Sequence, residues 1–394
     1  GSLEAAHAGA FPVRVLGLGH QRSRGIKAGV VVDLNEAETC IREAIARAEQ
    51  AAGLHVERVV VALGCGRLQS LNFRAKAGLG PHPLNESDIA RVMAAGQSFA
   101  ERNGRRLVHL NRIGWRLDGQ TSIREPRGMR GDVIEADLHA VTADEAPLRN
   151  LLVAVERSYV GAAGVIAAPF AAGLAVTSEE ERRFGVTVVD MGAGVTTLSY
   201  FGEGHLLNVD AIAVGGGQIT YDIARSLTIS LAEAERITTL YGTLTSAPSD
   251  EYDIVPCPQG NDETGGRRVT RGKLCRIIRP RAEEIFRLLR ERVERNRFSA
   301  YAGGRVVLTG GANQLAGTTE FAANMLGRPV RIGRPGALSG LPAGAATPPF
   351  AVSVGLIQAL FVPGACVLAL SNREEPGAPV GYLGQVGSWL RQSF

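Results

Sequence analysis

The sequence is poor in aromatic residues and has no long hydrophobic run. Aromatic side chains make up 5% of its 394 residues, and no apolar stretch reaches the roughly 18 residues that a transmembrane helix needs. No signal peptide is recognisable at the start of the chain. We therefore expect any membrane contact to be peripheral.

Cysteine is also scarce, and its distribution argues against two common frameworks. The five copies are odd in number, widely spaced and never in a C-x-x-C pattern, which disfavours a disulfide framework and a zinc site. We expect free thiols in a reducing cytosol at Cys40, Cys65, Cys257, Cys275 and Cys366. The chain begins with Gly1 and Ser2 instead of Met, which suggests a tag remnant and a missing natural N-terminus.

The remaining composition is that of a globular protein with an uneven charge. Hydrophobic residues make up 45% and charged residues 21% of the chain, and the length predicts two or more domains with sizeable cores. The formal net charge is +4, yet residues 267–297 hold twelve Lys or Arg and four Glu. That segment carries a local +8, so the rest of the chain sums to about −4.

The basic segment has the pattern of an amphipathic helix over residues 277–297. Apolar positions recur at helical spacing: Ile278, Ala282, Ile285, Leu288, Leu289 and Val293. Two interpretations stay open, a solvated helix with pairs such as Glu291 and Arg295, or a docking site for an acidic peptide. Nucleic acid is disfavoured, because the segment offers only Phe286 and Phe298 for stacking.

The most informative motif is the turn that follows the β-branched run at residues 186–189. Asp190 ends the run, and the glycines that follow allow backbone N–H groups to approach phosphate oxygens. Asp190 could also hold Mg²⁺ through water, because Mg²⁺ keeps most of its hydration shell. The predicted phosphate-binding residues are Asp190, Gly192, Gly194, Thr196 and Thr197. The alternative is an ordinary β-hairpin, because a second strand follows at residues 198–201.

The order of elements along the chain is α/β. The pattern predicts strands at residues 13–17, 29–32, 56–63 and 164–168, and helices at 35–52 and 148–159. A polar region rich in Gly and Arg interrupts this order from about residue 71 to 145. It contains a helix near residues 86–102 and short strands around Val108 and Val133, and we interpret it as an inserted subdomain.

Two further glycine junctions indicate a large cleft assembled from distant segments. Gly215, Gly216 and Gly217 precede a helix, where the backbone can approach a sugar or base and the helix N-terminus favours anions. Gly310 and Gly311 follow a strand at residues 305–309. A D-x-G-x-G-x-T-T turn, then GGG-x-x-T-x-D-I-A, then L-T-G-G-A indicates the actin-like ATPase fold.

Within that fold the chain resembles the FtsA family of bacterial cell-division proteins along nearly its whole length. The resemblance is carried by residues 23–33 (SRGIKAGVVVD), 177–185 (TSEEERRFG) before the Asp190 turn, the GGG segment, and residues 307–317. It implies an α/β, actin-like (ribonuclease-H-like) two-domain fold with a relocated, inserted small subdomain. It also implies a membrane adaptor of the FtsZ ring.

The resemblance assigns a role to each part of the chain. Residues 11–71 and 147–180 form the first actin-like domain, and 72–146 the inserted subdomain. The second actin-like core covers 181–223 and 302–365, with a peptide-binding subdomain at 224–301. A linker at 366–380 leads to a membrane-targeting helix at 381–394.

The C-terminal segment has its own amphipathic pattern. On a helical wheel one arc carries the apolar side chains, and the membrane contacts are predicted at Leu383, Val386, Trp389, Leu390 and Phe394. Their burial contributes about 8 to 12 kcal/mol, whereas ordering about a dozen residues costs about 12 kcal/mol or more. One segment would bind weakly, and a polymer would gain by avidity. The alternative is a helix docked on its own domain.

The partners follow from the resemblance. The C-terminal peptide of FtsZ would bind the subdomain of the basic helix, where Arg281 and Glu284 match the contacting positions. The other partners are further copies of the chain, late division proteins such as FtsN at the insert, and an anionic membrane surface. The expected location is the cytoplasmic face of the bacterial inner membrane at the division septum.

ATP and Mg²⁺ are the cofactors that the resemblance implies, yet two departures weaken that expectation. The family's first phosphate hairpin, a D-x-G-T motif, is not found before residue 13; two explanations stay open, that the given sequence is cut short or that this homologue has lost the hairpin. Losing two or three hydrogen bonds to phosphate costs about 3 to 9 kcal/mol, or about two to six powers of ten in affinity. The acid and base on the adenosine side fall at Glu235 and Thr238, so the base is missing too. Arg236 is next to the acid but points elsewhere on a helix.

We therefore expect weakened or lost nucleotide binding, no catalytic residue and at most weak ATPase activity. Two other classes share the fold, an adaptor of pilus assembly such as PilM and a small-molecule kinase. The kinase would need a catalytic Asp and a substrate pocket, and neither alternative accounts for the C-terminal segment.

Overall fold

The computed structural model describes residues 13–64, 67–257, 269–300, 302, 304–362 and 368–369. The strands are β1 (Ile26–Lys27), β2 (Val30–Val31), β3 (Arg58–Leu63), β4 (Gln69–Gly78), β5 (Arg105–Leu117), β6 (Gln120–Ile123), β7 (Val133–Asp144), β8 (Gly161–Ala167), β9 (Val186–Met191), β10 (Thr196–Gly202), β11 (His205–Ile212), β12 (Ile254–Val255), β13 (Val269–Thr270), β14 (Val306–Thr309), β15 (Val330–Ile332) and β16 (Leu368–Ala369). The α-helices are α1 (Leu34–Ala52), α2 (Glu86–Ala100), α3 (Glu145–Glu156), α4 (Ala168–Val176), α5 (Glu179–Phe184), α6 (Gly216–Leu227), α7 (Leu231–Tyr241), α8 (Arg271–Arg295), α9 (Thr318–Leu326) and α10 (Ala351–Ala359).

Two sheets form the centre of the molecule. One has the order β11-β10-β9-β14-β15, and the other has the order β16-β8-β3. The strands β9, β10 and β11 form an antiparallel meander, whereas β14 runs parallel to β9 and β15. Helix α4 packs between the sheets, and because it is rich in small apolar residues it is buried nearly all round. Val165, Phe201 and Val307 join the two sheets in one core.

The inserted region is a four-stranded antiparallel sheet with the order β4-β7-β5-β6 and α2 against one face. The prediction of short strands around Val108 and Val133 is wrong, because β5 has 13 residues and β7 has 12. Two register shifts in their pairing break the alternation of apolar and polar residues that sequence analysis follows. Both strands also serve two cores: Trp115 and Leu138 pack in the insert, whereas Val108 and Val141 pack in the main core.

The N-terminal part of the described chain differs most from expectation. The predicted strand at residues 13–17 is reduced to a bridge between Arg14 and Ser339. Instead of pairing in a sheet, this segment packs on α1, since a β-carbon on Gly17 would lie 2.3 Å from the carbonyl oxygen of Ala48. The strand predicted at residues 29–32 is the short β2, paired with β1. The helix predicted at residues 35–52 is α1, capped by Asp33.

The basic helix α8 is longer than predicted and begins at Arg271, where Thr270 accepts a hydrogen bond from the backbone N–H of Lys273. It continues through Pro280. The predicted apolar face is confirmed, since Ile278, Ala282, Ile285, Leu289 and Val293 are all buried. Elsewhere, α3 ends three residues before its predicted limit, and β8 begins three residues earlier than predicted.

Within the described ranges, no helix combines the length and the apolar character needed to cross a membrane. The residues of the C-terminal segment from Leu383 to Phe394, the place of the family's first phosphate hairpin, Cys65 and Cys366 lie outside the described residues.

Candidate functional site

The three glycine junctions meet in space, as the sequence predicts, and form one wall of a cleft. The cavity there measures about 730 Å³, within the range of about 300 to 1,000 Å³ typical of small-ligand sites. Its lining comes from the segment at residues 20–23, from Ala193, from the first turn of α6, from α7 and from residues 311–315. Gly216, Gly217, Glu235 and Gly311 are predicted site residues that line it.

Backbone hydrogen bonds connect the GGG segment to the Asp190 turn. The N–H groups of Gly216 and Gly217 donate to the carbonyl oxygens of Gly192 and Ala193 at 2.9 and 2.7 Å. The N–H of Gly215 donates to Oε1 of Gln218 at 2.9 Å. These three amides are engaged within the protein, so the expected attraction of anions by this helix N-terminus does not come from them. The glycines provide close backbone contact instead.

Close packing explains why these positions lack side chains. A β-carbon on Gly215 would lie 2.3 Å from the carbonyl oxygen of Gly192. A β-carbon on Gly216 would lie 2.7 Å from the β-carbon of Ala312. Atoms do not approach this closely without displacement, so larger residues would push the Asp190 turn and the Gly310 junction apart.

The Asp190 turn is a β-hairpin, the structure that the alternative interpretation describes, and it also contacts the cleft. β9 and β10 pair antiparallel, and the N–H of Gly192 donates to the carbonyl oxygen of Val195 at 2.9 Å. Thr196 and Thr197 are both buried, because every residue of β10 is covered. The hydroxyl of Thr196 donates to the carbonyl oxygen of Val214 at 2.7 Å. Neither threonine lines the cavity, so the expectation that they supply hydroxyl donors to phosphate gains no support from this arrangement.

Asp190 lies on β9 beside the Gly310 junction. Burial raises the pKa of its carboxyl group to about 6. Among the described residues no cluster of three or more His, Cys, Asp or Glu forms a metal site. A single carboxylate nevertheless fits Mg²⁺, because this ion keeps most of its waters and takes one or two carboxylates. Asp190 is the residue that would hold it, through water, although its side chain does not itself line the cavity.

Glu235 lies on α7 at the side of the cavity, where the family's adenosine-side acid is expected. Its Oε2 atom is 3.1 Å from Nη2 of Arg22. The hydroxyl of Thr238 donates to the carbonyl oxygen of Ala234 at 2.6 Å, so it is engaged on its own helix. Arg236 points away from the cavity, as predicted, and donates to Glu233 and to the carbonyl oxygen of Pro256.

Sequence reasoning missed Arg22 as a cleft residue. It lies in a polar loop without periodicity, and its pairing with Glu235 depends on the folding of two distant segments. No local signal in the sequence identifies it.

The basic helix is less positive in the folded protein than its composition indicates. Nε of Arg281 donates to Oδ2 of Asp222 at 2.6 Å, and its Nη1 donates to Oε2 of Glu284 at 2.6 Å. The hydrogen bond that Arg281 donates to Asp222 is the main reason that the pKa of Arg281 is raised. Arg276 pairs with Glu251, and Arg292 pairs with Asp210. Acidic residues from other segments thus offset part of the local charge.

Comparison with known proteins gives consistent matches. The profile of the family "Cell division protein FtsA" matches residues 187–355, and the profile "SHS2 domain inserted in FTSA" matches residues 65–142. The cell division protein FtsA of Rhizobium meliloti (strain 1021) is 39% identical over 390 residues, which cover 97% of this chain and 87% of the relative. The FtsA of Escherichia coli (strain K12) is 27% identical over 392 residues, which cover 97% and 92%.

Solved structures agree at the level of the fold. A PilM-PilN type IV pilus biogenesis complex has a chain that matches with a TM-score of 0.61 at 19% identity, covering 88% of this chain and 91% of that one. MreB5 of Spiroplasma citri bound to ADP matches with a TM-score of 0.50 at 14% identity, covering 90% and 82%. The predicted fold, an actin-like two-domain body with an inserted subdomain, is confirmed.

Proposed function

Because the chain belongs to the FtsA family of cell division proteins, we propose that it links FtsZ filaments to the inner face of the cytoplasmic membrane at the division septum. The identity of 39% across 97% of the chain is the observation that carries this proposal. A role in cell division follows from the family itself. The likeness to a PilM chain is at 19% identity and bears on the fold alone, so pilus assembly has no separate support.

The proposed site for the FtsZ C-terminal peptide is the surface of α8 around Arg281 and Glu284. Arg281 already holds Asp222 and Glu284 in the free chain. An acidic peptide would replace carboxylates that the guanidinium already binds, so the exchange preserves charge-assisted hydrogen bonds. The other cations of α8 would speed encounter with an acidic peptide more than they deepen its affinity.

The test is binding of a labelled FtsZ C-terminal peptide, measured by fluorescence anisotropy. Arg281→Glu should weaken binding about tenfold or more, since hydrogen bonds to charged groups contribute about 1.5 to 3 kcal/mol. Arg290→Glu is the matched control, because Arg290 lies on the same helix and pairs only with the exposed Glu294 among the ion pairs described. Arg281→Ala is needed as a second variant, because a glutamate at position 281 also repels the carboxylates of Asp222 and Glu284. An unchanged dissociation constant for both Arg281 variants would reject the site.

We further propose that the cleft binds ATP with Mg²⁺ through the predicted residues of the glycine junctions, Asp190 and Glu235. The cavity offers apolar walls at Ile219, Leu231 and Leu315 for a base. The phosphate side is weaker, since the amides of Gly216 and Gly217 are engaged within the protein. Isothermal titration with Mg-ATP should therefore give an affinity weaker than micromolar, and a tighter isotherm would contradict this expectation.

The remaining parts of the proposal concern assembly. The chain would polymerise through its actin-like body and insert, recruit late division proteins such as FtsN at the insert, and bind anionic membrane with the segment at residues 381–394. Cosedimentation with liposomes, with and without residues 381–394, tests the membrane contact. Retention on liposomes without the segment would contradict its role. Electron microscopy on lipid monolayers tests polymerisation, and a chain that stays dispersed there would contradict it.

A further inference from the structure

The cleft contains a charged pair that joins two distant parts of the chain. Arg22 comes from the loop before β1, and Glu235 comes from the middle of α7. Their side chains lie 3.1 Å apart and remain 60% and 58% exposed. They are the two side chains with a full charge among the described residues that line the cavity.

The loop that carries Arg22 is fixed by α1. Arg47 donates to the carbonyl oxygen of His20, and Gln21 donates to Glu43. The backbone of Gly19 lies directly on α1, where a β-carbon would contact the carbonyl oxygen of Ala44. Residues 20–23 all line the cavity, and Arg22 is the one among them whose side chain carries a full charge. Its backbone follows directly on these anchored residues, so it is held in place before any ligand arrives.

The two threonines of α7 that line the cavity already donate their hydroxyl protons within the helix. The hydroxyls of Thr238 and Thr239 donate to the carbonyl oxygens of Ala234 and Glu235 at 2.6 and 2.8 Å. Thr238 stands three residues after Glu235, where the family has a basic side chain. Helix α7 itself therefore supplies no cation there. Arg22 brings a cation to the same place from another segment.

From this arrangement we propose that Arg22 binds the nucleoside part of a nucleotide together with Glu235. The inference rests on the proposed function, in which the cavity takes ATP. Glu235 accepts hydrogen bonds from the ribose hydroxyls, and the guanidinium of Arg22 donates to the ring nitrogens of the base.

The pair suits a nucleoside better than a phosphate chain. Glu235 repels phosphate and offsets the charge of Arg22, so the pair as a whole attracts anions weakly. An ion pair this exposed contributes little to stability by itself. A bound nucleoside would exclude water from the ion pair. The hydrogen bonds of Arg22 and Glu235 would then be stronger, because the local dielectric is lower.

The experiment compares Mg-ATP with adenosine by isothermal titration at high protein concentration. Arg22→Ala should weaken both ligands by the same factor, about threefold to tenfold, as expected for the loss of one or two hydrogen bonds. Arg22→Lys should restore part of the loss, because Lys keeps the charge but not the planar fork. The combination of Arg22→Ala with Glu235→Gln should lose less than the two single losses predict together. Arg290→Ala, on an exposed pair far along α8, is the control.

The outcomes separate this inference from the proposed function. If the unsubstituted chain binds ATP and adenosine and Arg22→Ala leaves both affinities unchanged, the inference is rejected and ATP binding stands. Loss of ATP affinity with unchanged adenosine affinity would assign Arg22 to phosphate and reject the inference as well. ATP binding with no adenosine binding at millimolar concentration would show that the pair does not bind a nucleoside, and this outcome also rejects the inference. A chain that binds no ATP at millimolar concentration would reject both. Thermal unfolding of Arg22→Ala should match that of the unsubstituted chain, since the side chain is exposed.

Discussion

A β-carbon on Gly310 would lie 2.4 Å from Oδ1 of Asp190. Gly310 also has a backbone φ of +91°, a value that L-residues with side chains rarely adopt. The end of β14 therefore reaches the acid at the end of β9 only because position 310 has no side chain. The carboxylate of Asp190 is confined by this contact.

Substitution at Gly310 should destabilise the whole protein. We expect Gly310→Ala to lower the free energy of unfolding by roughly 2 to 5 kcal/mol, since steric overlap and an unfavourable φ act together. Gly344→Ala is the matched control, because a β-carbon there meets nothing within 4 Å. Urea unfolding followed by circular dichroism measures both. Equal stability of the two variants would contradict the packing described here.

Asp190→Asn should stabilise the protein, in a manner that depends on pH. Because the pKa of Asp190 is raised to about 6 in the folded chain, the folded state binds the proton more tightly than the unfolded state does. The penalty for the charge is absent well below pH 4, grows between about pH 4 and 6, and is complete above. At pH 7.5 we expect the variant to be about 1 to 3 kcal/mol more stable. Urea unfolding between pH 4 and 8 should show the difference shrink toward pH 4, and a constant difference would refute the assignment.

His139 should make stability fall at mildly acidic pH. It is fully buried between Ser70 and Asn111. Burial, followed by repulsion from His109, lowers its pKa to about 3. A histidine with a lowered pKa contributes stability that is complete above its unfolded value near 6.5 and is lost as the pH falls toward 3. Because of His139, the free energy of unfolding should fall by roughly 1 to 2 kcal/mol between pH 6.5 and 5.

The variant His139→Gln tests this assignment, because it removes the titration and keeps a polar side chain beside Ser70. Its free energy of unfolding should vary less between pH 6.5 and 5 than that of the unsubstituted chain. His55→Gln is the control at an exposed histidine, whose side chain is 76% accessible. It should leave most of the change in the free energy of unfolding between pH 6.5 and 5 in place. If His139→Gln leaves the pH dependence of the free energy of unfolding unchanged, other groups control the loss of stability in acid.

The two neighbouring threonines of β10 should respond in opposite ways to the same substitution. Thr196→Val removes the donor to the partly buried carbonyl of Val214 and should cost about 1 to 3 kcal/mol. The hydroxyl of Thr197 has no partner within the described part of the chain, so Thr197→Val should be neutral or slightly stabilising. Thermal unfolding of both variants measures the contrast. A larger loss for Thr197→Val would reveal a role of its hydroxyl that the structure does not account for.

Local patterns in the sequence predict the meeting of the glycine junctions and the buried face of α8. Of the predicted cofactor-binding residues, however, only Gly216, Gly217, Glu235 and Gly311 line the cavity. Glycines at Gly215 and Gly310 follow from close backbone contact, and such contact leaves a signature in the residue type itself. Apolar residues at helical spacing likewise identify the face of α8 that meets the core. These features depend on neighbours along the chain, which sequence analysis can see.

Features that depend on distant pairing were not predictable. The local charge of +8 for the basic segment takes no account of Asp210, Asp222 and Glu251. These acids approach the segment only after folding. The lengths of β5 and β7 were underestimated because their register shifts interrupt the two-residue alternation. Arg22 was missed for the same reason as these acids, since its partner Glu235 lies in another segment.

The two long strands β5 and β7 extend from the insert into the body of the molecule. β5 and β7 are shared between the core of the insert and the core of the body, and α3 begins at the residue that follows β7. Bending at this junction would break strand pairing or draw Val108 and Val141 out of the interior, both of which cost free energy. We therefore expect a displacement at the tip of the insert to be transmitted along these strands to α3.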